Sequence, residues 1–463
     1  MTSPSRARTV AIVGGGLAGL SAGCALADAG LRVTLFERRP YVGGRASSYE
    51  HPGTGEVVDN CQHVLLGCCT NLIAFYQRLG VSGKIRWFDE LTFLEPGGRA
   101  SKFAPVRFLP APMHNVPAFL RAQMLSMHDK LAIARAMFAM SRGLPDTSED
   151  FLAWLRRKGQ TTRAIERFWK TVLVSALNED LDRMSARYAA QVFRESFMNS
   201  AQAGRMGVPS IPLSQLYASA LDYIRARGGE AVLRCSVNAF NLAPEGVSVS
   251  TGAGEREFDF VVLAAPFQTV SGLLPTDPFG TQLKDKLERF ESSSITGIHL
   301  WFDREITPLP HAVLLDRTIQ WMFQKSKFQH EREGPGSYVE LVVSASKSLV
   351  QKSREEVLEL ALRELAEFFP MVKEAKLLKA AVIKEVYATY SILPGLDQFR
   401  PEAMTAWPRV FLAGDWTATG WPATMEGAVR SGYLAAEALT ESSGQGHRFL
   451  VPDLPASGLM KLL

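Results

Sequence analysis

The first forty residues change hydrophobic period twice. Val10 to Val13 is an unbroken apolar run rich in β-branched residues, the pattern of a parallel strand buried on both faces. Three glycines follow, Gly14, Gly15 and Gly16. Leu17 to Ala29 is then dense in Ala and Leu and reads as a helix. A second apolar run, Leu31 to Phe36, predicts another strand, and it ends on Glu37.

Beyond this unit the pattern is mixed. A helix is expected over about 71–80, stopped by Gly80, then short strand-like pieces over 84–105 broken by Pro96-Gly97-Gly98. Helices are predicted over Ser148–Lys158, Arg163–Leu177, Ser185–Phe197 and Leu213–Arg227, the last closed by Gly228-Gly229. Ala231–Leu233 and Ser236–Phe240 read as one strand returning to the first unit, followed by further strands at Val247–Val249 and Phe258–Ala264. Ile295–Phe302 and Ser337–Ser344 are strand-like and flank Ile319–Phe323, where Trp321 and Phe323 share one face by period two. Arg354–Phe369 is an amphipathic helix and Ala380–Tyr387 a strand. Val410–Leu412 is a last apolar strand before Gly414-Asp415, and an Ala-rich helix follows with Pro422 in its first turn.

The strand, glycine turn and helix at the N-terminus match G-x-G-x-x-G in the context that gives the motif meaning. Gly14 permits the tight turn, Gly16 admits a pyrophosphate, and Gly19 lets helix approach strand. Leu17 and Ala18 open the helix, where free N–H groups favour an anion. Glu37 stands eighteen residues past Gly19, placed to accept from ribose hydroxyls. A dinucleotide site follows. After Glu37 come Arg38 and then Gly43-Gly44-Arg45, where backbone and a guanidinium can meet a phosphate.

Composition narrows the class. With 463 residues, 46% hydrophobic and 21% charged, the chain has material for two or three domains and a large core. A net charge of only +4 argues against nucleic acid as a partner. The five cysteines (24, 61, 68, 69 and 235) show no metal-ligand spacing and fit a reducing, cytoplasmic compartment. The short polar stretch Met1–Thr9 leaves no room for a signal peptide, and no apolar run spans a bilayer. One segment departs from the average. Phe108 to Leu144 is rich in Met, Phe and Leu and, with Arg107 before it, carries Arg121, Lys130, Arg135 and Arg142 against one acid, Asp129. That composition suits an interfacial patch on anionic lipid or a greasy entrance. Equally, it suits a core-facing helix pair with a basic outer face.

Read together, the fingerprint, Glu37 and Gly43-Gly44-Arg45 resemble the flavin-dependent amine oxidase and carotenoid desaturase superfamily. The resemblance implies an α/β, amine-oxidase-like two-domain fold: a discontinuous Rossmann-like FAD-binding domain and a mixed-sheet and helical substrate domain. The expected divisions are 1–85, 205–290 and 385–445 for the first, 86–204 and 291–384 for the second, and 446–463 as a tail. It implies FAD as cofactor, with Val237 against the adenine. Gly414 and Asp415 then lie at the ribityl or phosphate region, and Thr424 and Met425 at the flavin ring. No cysteine follows Cys235, so a late covalent linkage is not available and the FAD is expected to be noncovalent.

A closer resemblance runs the whole length. Asp59–His63, Gln320–Phe323, Ala413–Gly427 and the tail Pro455–Leu463 are similar to the squalene-associated FAD-dependent desaturases, the hydroxysqualene dehydroxylase family. Cys61 departs from the glycine expected there. The resemblance implies hydride transfer from reduced flavin to an allylic alcohol, giving squalene in hopanoid biosynthesis. Asp59 or His63 would supply or orient the proton. Gln62, Trp321, Phe323 and Trp421 would line the pocket for a C30 isoprenoid. A substrate of that kind favours peripheral contact with the inner membrane face, through 107–145 and Leu459–Leu463, and squalene-synthase-like pathway partners. No metal is expected. The rivals are a carotenoid desaturase, an amine oxidase lacking one aromatic wall because Thr424 occupies the cage position, and a non-enzymatic FAD or isoprenoid carrier.

Overall fold

The structure is a computed structural model that describes residues 7–329 and 336–462. Residues 1–6 of the polar N-terminal stretch and Leu463 of the apolar tail lie outside the described residues.

The continuous apolar runs become the strands of a five-stranded parallel sheet. They are β1 (Thr9–Val13), β2 (Arg32–Glu37), β3 (Glu230–Leu233), β4 (Phe260–Leu263) and β5 (Val410–Leu412), arranged β3-β2-β1-β4-β5. Val10, Ala11 and Ile12 are fully buried, because helices and a second sheet cover the two faces. Helix α1 (Leu17–Asp28) follows the glycine turn directly. A Cβ on Gly19 would stand 1.9 Å from the Gly14 carbonyl oxygen, so only glycine lets α1 seat this close to β1.

Most of the remaining strands build a seven-stranded sheet. Its order is Leu377–Tyr390, Ser292–Phe302, Ser337–Ser344, Trp321–Gln324, His311–Leu314, Leu91–Leu94 and Ala100–Phe103. All its pairs are antiparallel except His311–Leu314 with Leu91–Leu94. Beside this sheet pack α2 (Thr171–Leu177) and α3 (Ala186–Phe193). Their aromatic core includes Phe168, Trp169 and Phe193. Helix α4 (Met425–Ser442) returns to the parallel sheet and packs on α1.

Several sequence expectations are corrected by geometry. Ala231–Leu233 and Ser236–Phe240 are not one strand. The chain turns at Arg234, whose φ is +55°, and Val237–Leu242 joins a separate three-stranded antiparallel sheet. The helices expected over Arg163–Leu177 and Ser185–Phe197 each contain a π turn, at Ile165–Lys170 and Arg194–Met198. Helix α4 begins at Met425, three residues past Pro422, because the Thr424 hydroxyl accepts from the Gly427 N–H and caps the helix there. The basic segment divides into Val116–Arg121 and Met127–Arg142. Lys130, expected on its outer face, is buried and donates from Nζ to the Leu120 carbonyl at 2.7 Å. Two expected domain boundaries fall inside strands: 85/86 within Ile85–Phe88 and 384/385 within Leu377–Tyr390. Among the described residues no helix is long and apolar enough to cross a membrane.

Candidate active site

A cavity of about 890 Å³ runs from the glycine loop to the helices α2 and α3. One end is a cradle of backbone. Gly14, Gly16, Leu17 and Ala18 line it, and Gly43 and Gly44 close on them: Gly43 N–H donates to Gly15 C=O at 2.8 Å. A Cβ on Gly44 would come within 2.9 Å of Gly16 Cα, so the two glycine motifs dock as bare backbone. The N-terminus of α1 has no side-chain cap. Its orphan N–H groups and dipole therefore face the cavity uncompensated.

The polar side chains of this end are held in place. Glu37 accepts from the N–H groups of Gly15 (2.7 Å) and Arg39 (2.8 Å), which fixes its carboxylate at the end of β2. Arg45 pairs with the buried Asp415 at 2.5 Å and also donates to the Ala388 carbonyl. Arg38, Val237 and Gly414 line the same cavity, as do Thr424 and Met425 at the start of α4. Two helix N-termini, a glycine cradle, a carboxylate at the end of β2 and three arginines (38, 39 and 45) thus open into a single elongated space. That donor set fits a long dinucleotide with a pyrophosphate at its middle.

The other end is apolar. Trp321 and Phe323 stack, ring centroids 5.4 Å apart and 8° from parallel, and both line the cavity. Trp321 donates from its indole N–H to the Ser175 hydroxyl of α2 at 2.8 Å. Trp421 lines the cavity with its ring under the Arg430 guanidinium. Cys61 is accommodated by a glycine opposite: a Cβ on Gly297 would reach 3.6 Å from Cys61 Cα.

The segment Asp59–His63 divides into two layers. Gln62 and His63 line the cavity, whereas Asp59 is buried behind its wall. Asp59 accepts from Lys325 Nζ at 2.6 Å, from the Ser48 hydroxyl at 2.5 Å and from the Leu213 N–H. Burial alone raises its carboxyl, but the Lys325 charge and these donors outweigh burial and hold it below the ordinary carboxylate range. An ionised, fully ligated Asp59 has no proton to give, which corrects the proton-source role expected for it. His63 Nδ1 sits 2.8 Å from the Cys61 carbonyl, so that nitrogen carries the ring proton, and burial pushes its pKa below the ordinary value. A neutral ring with a lone pair on Nε2 accepts protons and does not supply them.

Sequence reasoning missed Lys325 and Glu340. Lys325 is buried between Asp59, Gln62 Oε1 (2.9 Å) and Glu340 (3.4 Å). Two carboxyls share one ammonium deep in the protein. Burial pushes Glu340 up to about 7, against the opposing pull of Lys325. The signal was present: Glu340 is the one charged residue in the strand Ser337–Ser344. Glu195, which also lines the cavity, was missed too, and nothing in its local sequence marks it.

A parallel sheet carrying a glycine cradle, beside an antiparallel sheet and helices that enclose an apolar chamber, defines a two-domain flavoenzyme. The family model described as flavin containing amine oxidoreductase matches residues 17–440, and the chain belongs to that family. It is 27% identical to the 15-cis-phytoene desaturase of Synechococcus elongatus, over 93% of this chain and 95% of that one. It is 28% identical to the chloroplastic/chromoplastic zeta-carotene desaturase of Zea mays, over 91% and 82%. Solved structures with the same fold include putrescine oxidase bound to putrescine (TM-score 0.71, 17% identity, 94% and 98% covered). Cyclohexylamine oxidase from Brevibacterium oxydans is another (TM-score 0.66, 16% identity, 95% and 100% covered). The protein is an FAD-dependent oxidoreductase with the amine-oxidase-like α/β fold.

Proposed function

We propose that this enzyme reductively dehydroxylates hydroxysqualene to squalene. The observation that carries the reading is the cavity: a nucleotide cradle continuous with a long chamber walled by Val172, Val192, Phe197, Trp321 and Phe323. Such walls suit a C30 isoprenoid and exclude water from a developing allylic cation. Noncovalent FAD, once bound and reduced, supplies the hydride. The chain's own residues do the rest. The start of α4, which lines the cavity, would offer N–H groups and a positive dipole end to the negative charge of a bound, reduced ring. His63 Nε2 accepts from the substrate hydroxyl, and Asp59 holds Lys325 and, through it, Gln62 in place. Asp59 is in this reading a positioning residue.

An isoprenoid substrate also accounts for the basic, Met-rich segment. Phe108, Met113, Leu120, Met127, Leu131 and Phe138 are exposed there, and Leu459 and Leu462 of the tail join them. The tail docks on this segment through Leu459 N–H to Ala111 C=O at 2.8 Å. Together with Arg107, Arg121 and Arg135 this surface suits peripheral contact with anionic lipid on the cytoplasmic face of the inner membrane. Squalene-synthase-like enzymes are the pathway partners that would deliver the alcohol.

A carotenoid desaturase is the second reading, and the phytoene and zeta-carotene desaturase relatives favour it. The two differ in electron flow. Anaerobic mixing of the reduced holoenzyme with hydroxysqualene should return the flavin absorbance to its oxidised form with one squalene formed per flavin. Oxidised holoenzyme mixed with phytoene should stay oxidised. Bleaching by phytoene with no response to hydroxysqualene would establish the second reading and discard the first.

A further inference from the structure

Reductive dehydroxylation needs an acid at the departing oxygen, and the cavity narrows the choice of side chain. Among the described residues five carboxyls line it: Glu37, Glu195, Glu385, Asp415 and Glu426. Glu37 is occupied by two backbone N–H groups and Asp415 by Arg45. Glu426 accepts from the N–H and side-chain amide of Asn71 and from the N–H of Leu72, a role only lone pairs can fill. Glu385 stands on the strand Leu377–Tyr390 opposite Ile295, and among the described residues its carboxyl has no hydrogen-bond partner. Glu195 and Glu385 are left, and of the two Glu195 stands on the helical wall of the substrate chamber, with one oxygen anchored by Asn199.

We propose that Glu195 delivers the proton to the leaving hydroxyl of the substrate. It sits on the π turn Arg194–Met198 that continues α3, where Asn199 N–H reaches back to the Arg194 carbonyl at 3.0 Å. Single π turns recur at functional sites because the extra residue redirects side chains. The turn is held from the preceding helix and from within. Gln191 donates to the Gly420 carbonyl, and the Ser196 hydroxyl lies 3.4 Å from Cys68 Sγ. One Glu195 oxygen accepts from the Asn199 amide at 2.8 Å, and among the described residues the other has no hydrogen-bond partner. The charged groups acting on it are Asp453 of the tail, Arg194 on its own turn and Arg430 of α4. Burial, the largest influence, raises its pKa above the ordinary glutamate value and keeps the acid form at higher pH.

The step balances. The allylic C–O bond breaks, its oxygen takes the Glu195 proton and leaves as water, and hydride from the reduced flavin forms the new C–H bond. Glu195 remains as a carboxylate and regains its proton from solvent.

The donor role rests on the dehydroxylation reading, so the test separates the two. Wild-type and Glu195→Gln holoenzymes are compared for single-turnover squalene formation across pH. Flavin content, flavin midpoint potential and the infrared carbonyl band of a protonated carboxyl are recorded alongside. The expected result is a loss of roughly a hundred- to ten-thousandfold in turnover. The alkaline fall of the wild-type profile should vanish in the variant, with flavin content and potential unchanged. A titrating carbonyl band should be present in wild type and missing in the variant. Wild type inert toward hydroxysqualene refutes the substrate, and the donor role with it. Wild type active and Glu195→Gln within about threefold of it refutes Glu195 alone, as does an unaltered carbonyl band.

Discussion

Glu340 makes the buried charge cluster testable without substrate. Its carboxyl is completely buried and receives Lys325 only at 3.4 Å, while Asp59 takes the closer contact at 2.6 Å. One ammonium cannot neutralise two carboxylates, so the cluster is electrically balanced when Glu340 keeps its proton. Burial accordingly lifts Glu340 from the ordinary 4.5 to about 7. Between those values the folded state binds more protons than the unfolded chain. This group's contribution to stability is therefore fully present below pH 4.5 and is lost as pH rises through 7. The shift corresponds to about 3 kcal/mol at ~1.4 kcal/mol per pH unit.

Glu340→Gln keeps the shape and removes the titration. For a chain of this length the unfolding entropy is about 1 kcal/mol per degree, so the shift equals a change of about 3 °C in Tm. Melting of both holoproteins is followed between about pH 4 and about pH 8.5, a range that brackets the titration. The variant should gain on wild type as pH rises, by about 3 °C across the range, whatever the constant offset from the substitution itself. Parallel melting curves, or a variant that loses ground with rising pH, would refute the charge assignment.

Lys325→Met leaves Asp59 and Glu340 buried without their cation and should cost roughly 3–5 kcal/mol, read as a drop of several degrees in Tm. Gly19→Ala places a methyl 1.9 Å from the Gly14 carbonyl oxygen, so the purified protein should carry little or no flavin by its absorbance spectrum. Asp415→Asn removes the charge opposite Arg45 and should weaken FAD about tenfold in equilibrium dialysis, since Arg45 is partly exposed and the pair is screened on that side. Phe108→Asp with Leu462→Asp should abolish co-sedimentation with anionic vesicles while leaving the Tm within about one degree, because both side chains are exposed.

The parallel-sheet half of the fold was legible because its signals are local. Val10–Val13, Phe260–Leu263 and Val410–Leu412 are short apolar runs with no polar face, and burial on both sides is the state that suits them. The antiparallel half was legible as strands but not as a sheet. Its order pairs Leu91–Leu94 with His311–Leu314 from the far side of the chain, and no pattern within either strand encodes that partner. The π turns were invisible for a similar reason: Arg163–Leu177 has ordinary helical periodicity, and the additional residue is absorbed by packing of Phe168 and Trp169.

At the site, backbone requirements were readable and charge partnerships were not. A glycine that must be glycine declares itself in the sequence, as Gly19 and Gly44 do. Whether a carboxylate is a donor, an acceptor or a counter-ion depends on what the fold brings beside it. Asp59 stands next to Gln62 and His63 in sequence, and that proximity made it look catalytic. Lys325, 266 positions away, takes its charge out of the cavity. Glu195 is the opposite case: unremarkable among its neighbours, it enters the chamber because the π turn places it on the cavity wall. The acid proposed to face the substrate is thus narrowed by subtraction, as the fold engages Glu37, Asp415 and Glu426 of the same cavity with backbone amides, a side-chain amide or a guanidinium.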